Sequence, residues 1–452
     1  MIDGRSLQER NTSASLARER DALNWLFSFA DMERGVGWNP AAAPGEQWKL
    51  GRTRALLDLA GAPDREMRCV LIAGTKGKGS TAAFLAALLC AGGVRAGLYT
   101  QPHLQVYRER IRVDGVMVGP STFAGAVEPW RRHVADLMER HPGAGAPTTF
   151  EITTALAIKL FAESGCSVAV LEVGLGGRLD ATNAVDPEIS VLTTIDRGHT
   201  DILGTRLEQI AREKAGILRR DRVAIIARQR PSVRRTLLRA CREVGARCAW
   251  VDPLPASTIL GLAGAHQRQN AALAVAAATA LGVRDGMDAL GRLRWPGRSE
   301  RIGDGPGIVL DGAHDPVSAR ALADELRSRG ELAIHLVIGM YRDKEAARIL
   351  RPLLPLAEHV FVTRPRGARA LPAADLARMC RALTRIPIET HEDVGHALVA
   401  ARLGARGRTV CVTGSLALVG EARDRLGLAP AERLWEGLRC SGTAEAVPTI
   451  AT

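Results

Sequence analysis

Residues 71–81 read LIAGTKGKGST, and this stretch decides the fold of the first half of the chain. An apolar run, residues 69–73, leads into a glycine-rich turn, and a run of small and apolar residues follows it. Backbone N–H groups in such a turn, the positive end of the following helix and a lysine together bind nucleotide phosphates. The stretch therefore predicts a strand–loop–helix phosphate site with Lys78 as its lysine. Glycine follows Lys78 directly, and the hydroxyl of the plain Walker form comes one position later, at Ser80.

The composition is that of a folded, basic chain of 452 residues with 46% hydrophobic residues and a formal charge of +12. This length accommodates two or three domains. A basic surface attracts polyanions, but the sequence has no lysine-rich tail, zinc-ligand spacing or aromatic–basic RNA motif, so we expect no nucleic acid partner. Eight scattered cysteines without a CxxC pair indicate reduced thiols in a cytoplasmic protein. We expect no membrane partner, because no stretch is long and apolar enough to span a bilayer.

Lysine is rare in this chain, which has only six among its 61 basic residues. Where arginine is the usual cation, a remaining lysine favours a site that needs a compact ammonium with an adjustable pKa. Two of the six, Lys76 and Lys78, lie in the glycine-rich turn, and Lys214 lies within a predicted helix.

Strands and helices alternate along the whole chain, which predicts an α/β protein with a mainly parallel sheet. The rhythm breaks at a Pro-Gly turn near residue 296 and then resumes, so we predict two domains, 1–296 and 297–452. The predicted strands are 69–74, 94–100, 167–173, 189–195, 223–228, 248–252, 307–311, 334–339, 359–363 and 408–413. The predicted helices of the first domain are 122–140, 150–164, 206–218, 231–245 and 264–282. The polar first 20 residues and those after about 438 show little pattern and are expected to fray.

Two further strands end in polar residues suited to a metal-assisted phosphate site. The strand near 167–171 ends in Glu172, as expected of a magnesium-binding acid after a buried strand. The glycines that follow have the wrong spacing for a dinucleotide fingerprint, so that reading is rejected. The next strand ends in a turn bearing His199, which taken alone is more often a structural or surface histidine.

The chain resembles folylpolyglutamate synthase/dihydrofolate synthase of the Mur ligase superfamily over roughly residues 50 to 425. The resemblance implies a P-loop Mur-ligase-type central domain with a mainly parallel sheet and a C-terminal Rossmann-like α/β domain. It is carried, in order, by GTKGKGST, EVGLGGRLDATN, HTDILG, IAREKAGI, AHQRQNAALA, WPGR, LDGAHDP, VIGMYRDK, TRPRGARALPA and VTGSLALVGEAR.

The resemblance implies an ATP-dependent amide ligase that adds L-glutamate to dihydropteroate, (tetrahydro)folate or both. The acceptor carboxylate attacks the γ-phosphate of ATP, and the glutamate amine then displaces phosphate from the acyl phosphate. The implied cofactors are ATP and Mg²⁺, the partners are small molecules, and the expected state is a monomer. Phosphorylation is the activating step because carboxylate oxygen is a poor leaving group, so the protein's work is positioning and charge neutralisation.

The family's functional residues are carried over onto matching positions of this sequence. Lys214 matches the lysine that the family carbamylates, and a carbamate needs the neutral amine that lysine can provide. The implied catalytic residues are Lys78, Lys214 and His314, and the metal ligands are Glu172 and His199. The implied ATP-binding residues are Gly74, Thr75, Lys76, Gly77, Lys78, Gly79, Ser80, Asn270, Arg298 and Asp311. The implied substrate-binding residues are Thr149, Phe150, Glu151, Leu179, Asp180 and Ala181, with core packing an equally good reading of Phe150.

Three positions depart from the family pattern. Gln101 stands where the family has a magnesium-binding serine, and its carbonyl oxygen is the alternative ligand. Gly198 replaces an aspartate that precedes the metal-binding histidine, which removes a supporting acid. Asp315 replaces the asparagine of HNP and is expected to add negative charge near the glutamate site.

Two alternatives remain open at the level of sequence. The first is a Mur-type ligase for another carboxylate, such as a cell-wall precursor, although the chain lacks an obvious extra N-terminal domain for a UDP-linked substrate. The second is a P-loop ATP-binding or regulatory protein that hydrolyses ATP without ligation, which the three departures would support. The two classes differ in whether ADP release depends on both the acceptor and glutamate.

Overall fold

Two β-sheets flanked by helices organise the chain in a computed structural model that describes residues 12–31, 33, 50–303 and 307–438. The strands are β1 Arg68–Ala73, β2 Ala96–Tyr99, β3 Ile111–Val113, β4 Val116–Met117, β5 Val168–Glu172, β6 Ile189–Leu192, β7 Val223–Ala227, β8 Arg247–Val251, β9 Glu300–Ile302, β10 Ile308–Leu310, β11 Ile334–Ile338, β12 Ala357–Val362, β13 Ile388–Thr390 and β14 Val410–Thr413.

Helices occupy most of the connections between these strands. They are α1 Ser13–Leu26, α2 Leu50–Leu59, α3 Lys78–Ala91, α4 Pro120–Arg140, α5 Thr149–Glu163, α6 Thr200–Leu203, α7 Leu207–Ala215, α8 Pro231–Val244, α9 Gln267–Ala280, α10 Ala289–Arg292, α11 Pro316–Ser328, α12 Ala346–Leu353, α13 Ala373–Leu383, α14 Val394–Gly404 and α15 Leu416–Arg425. Short 3-10 helices lie at Pro63–Glu66, Tyr107–Arg110, Pro142–Ala144, Ala181–Ala184 and Leu354–Leu356.

The first sheet has the order β4-β3-β2-β5-β1-β6-β7-β8. Strand β1 is central and pairs in parallel with β5 and with β6. Only β3 and β4 at one edge run antiparallel to their neighbours. Because the carboxyl ends of β1, β5 and β6 lie at the same edge, the loops that follow these three strands are brought together. Ligands of open α/β sheets bind at this edge.

Both faces of β1 are buried, which explains its unbroken apolar sequence. Leu71 and Ala73 belong to the core on one face of the sheet, and Val70 and Ile72 belong to the core on the other. On the second face α3 packs with α9, and both helices are rich in alanine. These small side chains let the helix that follows the phosphate loop lie close to its neighbour.

The second sheet has the order β13-β12-β11-β14-β10-β9, parallel except for β9. Its two faces are covered by separate apolar cores. Strand β10 lies next to β14 and leads directly into residues 311–316, so the motif LDGAHDP starts at the carboxyl end of a strand.

Several expectations need correction. Helix α1 begins at Ser13, within the segment that was expected to fray, whereas residues 439–452 lie outside the described part of the chain. Cys241 and Cys248 form a disulfide, so the expectation of reduced thiols is wrong for this pair. Four other cysteines, Cys69, Cys166, Cys380 and Cys411, are free and buried. Among the described residues, no helix has both the length and the apolar character that a bilayer crossing requires.

Candidate active site

The phosphate loop joins β1 to α3 with the geometry that its sequence predicts. Gly77 is the N-cap of α3 with φ of 86°, in the left-handed region. No side chain therefore accepts a hydrogen bond from the first N–H groups of the helix at this position. A Cβ atom at this position would overlap Oδ1 of Asn270, so only glycine fits against that side chain. The N-terminal N–H groups of a helix that starts without a side-chain cap are directed at the loop, where an anion is stabilised.

The loop backbone is fixed by the strand beside it. The N–H groups of Thr75 and Lys76 donate to the carbonyl oxygen of Thr194, at 2.9 and 3.2 Å. The Thr75 hydroxyl donates to the carbonyl oxygen of Asp196 at 2.8 Å. The loop is therefore held from its own domain before any nucleotide binds.

Glu172 lies beneath the loop and faces Lys78. The residue is 4% exposed, and Oε1 lies 4.0 Å from Nζ of Lys78. Burial raises the pKa of Glu172, and the nearby ammonium of Lys78 opposes that rise. The N–H of Gln101 donates to Oε2 at 3.0 Å, and the Gln101 side-chain amide donates to the Glu172 carbonyl oxygen at 3.1 Å.

Lys214 reaches the phosphate loop from α7. Its Nζ donates to the carbonyl oxygen of Gly74 at 2.8 Å, and the residue is 5% exposed. Burial, with the positive charge of Lys78, lowers the pKa of Lys214 to about 7. A lysine in this environment is partly neutral near physiological pH. An arginine at the same place would stay charged.

His199 stands at the start of α6 with φ of 50°. The surrounding protein and the positive charges of Lys78 and Lys214 lower its pKa to about 4, although part of the residue stays exposed. A neutral imidazole of this kind is a metal donor rather than a cation.

The donor set agrees with a partly hydrated magnesium ion. Glu172 offers a carboxylate and His199 an imidazole, and both side chains lie close to Lys78 of the phosphate loop. No group of three or more His, Cys, Asp or Glu residues within the described ranges has the arrangement of a metal cluster. Magnesium is commonly held by one or two carboxylates while phosphates and water fill the remaining positions, so Glu172 fits it and the neutral imidazole of His199 is a further donor.

Three predicted residues of the second domain lie close to one another. Asp311 follows β10, and its carboxylate accepts hydrogen bonds from the N–H groups of Ser299 and Ala313, at 2.8 and 2.9 Å. Burial raises its pKa, and the charge of Arg298 opposes that rise. Nδ1 of His314 lies 2.8 Å from the carbonyl oxygen of Gly312, and burial lowers the His314 pKa to about 4.

A cavity connects the residues of the two domains. It is bounded by Gly79 and Ser80 of the phosphate loop, by Gln101, and by Arg298 at the domain junction. The side-chain amide of Gln267 lies 3.5 Å from the Ser80 hydroxyl and hydrogen-bonds Asn270 through Oε1. Sequence reasoning missed Gln267, although its position three residues before Asn270 places both on one face of α9.

Two of the predicted substrate residues have structural roles in their side chains. Glu151 is 3% exposed, forms a 2.9 Å ion pair with Arg52, and caps α5 by accepting from the N–H of Thr148. The Thr149 hydroxyl donates to the carbonyl oxygen of Leu26. These contacts tie α5 to α1 and α2.

Phe150 and Asp180 instead approach the loop that follows β5. A Cβ atom on Gly174 would lie 2.9 Å from Gln101 Nε2, 3.0 Å from Phe150 Cζ and 3.2 Å from Asp180 Oδ2. Phe150 is only partly buried and stacks on Tyr99 with ring centroids 6.1 Å apart. Asp180 is buried and caps the short helix that contains Ala181, while its neighbour Leu179 is partly exposed.

The fold and the site define a Mur-type ligase. The sequence matches the family Mur ligase middle domain over residues 72–246 and the family Mur ligase, glutamate ligase domain over residues 297–416. The chain is 34% identical over 443 residues to the dihydrofolate synthase/folylpolyglutamate synthase of Mycobacterium tuberculosis, with 84% of this chain and 90% of that protein covered. The chain belongs to the folylpolyglutamate synthase/dihydrofolate synthase family and is an ATP-dependent ligase.

Another relative is longer. A probable bifunctional folylpolyglutamate synthase/dihydropteroate synthase of Halobacterium salinarum is 35% identical over 385 residues, which cover 79% of this chain and 46% of that protein. This chain therefore spans about half the length of the bifunctional protein.

Solved structures of relatives have the same fold. The folylpolyglutamate synthase of M. tuberculosis complexed with ADP has a TM-score of 0.83 and 32% identity, covering 92% of this chain and 100% of that one. Escherichia coli FolC in complex with DHPP and ADP has a TM-score of 0.77 and 28% identity, covering 90% and 97%. A Yersinia pestis bifunctional enzyme complexed with AMPPNP and Mn ion has a TM-score of 0.75 and 28% identity, covering 91% and 98%.

Proposed function

We propose that this chain uses ATP to join L-glutamate to dihydropteroate, to (tetrahydro)folate, or to both, through an acyl-phosphate intermediate. The supporting observation is that the phosphate loop contacts three functional groups at once. Lys78 faces the buried Glu172, Lys214 hydrogen-bonds Gly74, and Lys76 pairs with Asp315 of the second domain. These contacts support phosphate chemistry where the two sheets meet, as a two-substrate ligase requires.

The proposed ligation proceeds in two steps. A carboxylate oxygen of the acceptor attacks the γ-phosphorus of ATP, the bond to the β-phosphate oxygen breaks, and ADP leaves. The glutamate nitrogen then attacks the acyl carbon, the bond to the phosphate oxygen breaks, and the nitrogen loses its proton. We assign the phosphates to Gly74, Thr75, Lys76, Gly77, Lys78, Gly79 and Ser80, and further nucleotide contacts to Asn270, Arg298 and Asp311.

Lys214 is proposed to act as a carbamate. A carbamate forms when a neutral amine attacks CO₂ and loses a proton, and a pKa of about 7 makes the neutral amine available near neutral pH. The product replaces a cation next to Lys78 with an anion, which reverses the local charge. Glu172 and His199 are proposed to hold Mg²⁺, which neutralises phosphate charge when bound.

His314 is proposed to orient the attacking amine. The Gly312 carbonyl oxygen can only accept, so Nδ1 carries the hydrogen of the neutral ring and Nε2 is left as an acceptor. With a pKa of about 4, the ring is neutral at pH 7 and suits the task of accepting a hydrogen bond.

The acceptor is proposed to bind beside Gly174. Phe150 supplies a partly exposed aromatic ring at this point, and Leu179, Asp180 and Ala181 form the adjoining segment. Thr149 and Glu151 support this region through the anchoring of α5. The E. coli relative in complex with DHPP and ADP supports an acceptor of this kind.

The domain division, the location and the oligomeric state are also proposals. We assign residues 1–296 to the ATP-binding P-loop domain and residues 297–452 to the C-terminal Rossmann-like ligase domain. We also propose a cytoplasmic monomer whose partners are small molecules, without nucleic acid or membrane.

Product analysis tests this function. The chain is incubated with ATP, Mg²⁺ and glutamate, and with either dihydropteroate or tetrahydrofolate as acceptor. Mass spectrometry should detect an acceptor enlarged by one or more glutamate residues in at least one reaction, and none without ATP. An unmodified acceptor in both reactions would contradict the proposed function.

A further inference from the structure

The side chain of Lys76 leaves the phosphate loop and crosses to the second domain. The Lys76 backbone is fixed by its hydrogen bond to Thr194, so the side chain is the part of the residue that reaches another element. Its Nζ forms an ion pair with Oδ2 of Asp315, a residue 239 positions later in the chain. The contact joins the loop that is proposed to bind ATP to the start of α11.

Asp315 is held in place by its own helix. Oδ1 accepts from the N–H groups of Val317 and Ser318, at 3.0 and 3.1 Å, which makes Asp315 the N-cap of α11. Oδ2 accepts from the Ser318 hydroxyl at 2.8 Å and from Lys76. The carboxylate therefore presents a fixed oxygen to the incoming ammonium, and little entropy is lost when the pair forms.

The pair is partly shielded from water, with the Lys76 and Asp315 side chains 31% and 22% exposed. Burial opposes ionisation of Asp315, yet the charge and hydrogen bond of Lys76 lower its carboxyl pKa well below the usual range. Burial lowers the pKa of Lys76, Asp315 opposes that change, and the nearby charges of Lys78 and Arg298 add to it. Asp315 is thus an anion paired with Lys76, and Lys76 belongs to a group of three cations.

Asp315 was expected to add negative charge near the glutamate site, and the structure shows that this charge is paired with Lys76. ATP and glutamate are both anionic, and both must approach the phosphate loop. An unpaired Asp315 would repel them, and an unpaired Lys76 would add one more cation to the phosphate site.

We propose that Lys76 and Asp315 form an interdomain latch that positions α11 against the phosphate loop and keeps the local charge balanced. The inference rests on the proposed function, since it places ATP and glutamate at this loop. Lys76 anchors the loop through its backbone hydrogen bond to Thr194 while its side chain acts through Asp315, and both Lys76 and Asp315 are positioning residues.

The test is a double-mutant cycle with Lys76→Asn, Asp315→Asn and the double variant. Asparagine is as good an N-cap as aspartate, so Asp315→Asn removes the charge and keeps the cap of α11. Asp424→Asn is the matched control, because Asp424 also contacts the other domain, through Gln105, but lies outside the phosphate loop. Turnover at subsaturating glutamate and the dissociation constant of AMPPNP are measured for each protein.

The single variants should shift AMPPNP affinity in opposite directions. Asp315→Asn should strengthen AMPPNP binding about fivefold because the Lys76 ammonium is released to the phosphates. Lys76→Asn should weaken AMPPNP binding about fivefold because the unpaired Asp315 carboxylate repels the phosphates. Each single variant should lower turnover about fivefold, Lys76→Asn by raising the KM for glutamate and Asp315→Asn by lowering kcat. The double variant should be no slower than either single variant, about fivefold below the original protein, because the same contact is lost in all three; Asp424→Asn should match the original protein.

A double variant that turns over about 25-fold more slowly, the product of two independent losses, would overturn the latch. AMPPNP affinities that move in the same direction would also overturn it. If the unaltered protein shows no glutamate-dependent turnover, the proposed function fails on its own, and the AMPPNP measurements still decide whether the latch exists.

Discussion

Nζ of Lys214 lies 2.8 Å from the carbonyl oxygen of Gly74, so a rare lysine of α7 contacts the first residue of the phosphate loop. This contact connects a group suited to carbamate formation with the turn that is proposed to hold the ATP phosphates. It also explains why the loop and a helix 140 residues later in the chain belong to one site.

The first prediction concerns the anionic form of Lys214. Lys214→Ala should lower kcat by about 100-fold, which corresponds to ~2.7 kcal/mol of transition-state stabilisation. Added acetate should restore part of the rate, because a small carboxylate can occupy the space of the missing carbamate. Lys214→Arg fills that space with a cation and should stay inactive with acetate. Equal acetate response in the two variants, measured by ADP release, would contradict the carbamate role.

The second prediction concerns the pH at which Lys214 reacts with CO₂. Its pKa is lowered from the ordinary 10.5 to about 7, so the reactive neutral amine becomes the major form above pH 7. After CO₂ is removed, reactivation at a fixed concentration of dissolved CO₂ should therefore become faster as the pH rises from 6 to 8, with a midpoint near 7. An unperturbed lysine would still be gaining reactivity tenfold per unit at pH 8, and that result would contradict the assigned environment.

The third prediction uses Gln101, which holds Glu172 through two hydrogen bonds. Gln101→Ala removes the side-chain bond and keeps the backbone bond. Loss of such a supporting contact typically weakens metal affinity, so the Mg²⁺ concentration for half-maximal activity should rise about tenfold. Unchanged Mg²⁺ dependence would show that Gln101 does not support the metal site.

The fourth prediction concerns acid stability. Burial and the neighbouring Arg110 lower the pKa of His103 to about 3, below the ordinary value of 6.5. Between these values the unfolded chain binds the proton and the folded chain does not, so the free energy of unfolding falls as the pH falls from 6.5 toward 3. His103→Gln should reduce this fall, measured by urea unfolding at pH 6.5, 5 and 4. His141→Gln, at an exposed histidine, is the control and should follow the original protein.

The buried parallel strands were predictable from sequence, and the short edge strands were not. β1, β5 and β6 are apolar runs because both of their faces are buried, and each was predicted close to its observed bounds. β4 has two residues and β9 has three, at sheet edges, and such segments carry no recognisable periodicity.

Some residues of the candidate site were likewise predictable from sequence, and others were not. The phosphate loop is local in sequence, so its glycines and Lys78 could be read directly from their spacing. The Lys76–Asp315 pair and the use of Glu151 as a cap and ion-pair partner depend on residues brought together by folding. Spacing carries no information about such contacts, so the sequence predicted the charge of Asp315 but not its partner.

The central claim is that ATP cleavage at this loop is coupled to ligation, and ADP release measures that coupling directly. ADP is monitored with ATP and Mg²⁺ alone, with glutamate, with dihydropteroate or tetrahydrofolate, and with an acceptor and glutamate together. Sustained ADP release should require both the acceptor and glutamate, and Lys78→Ala should abolish it. ADP release at the same rate in all of these mixtures would contradict the ligase account and indicate a nucleotide hydrolase.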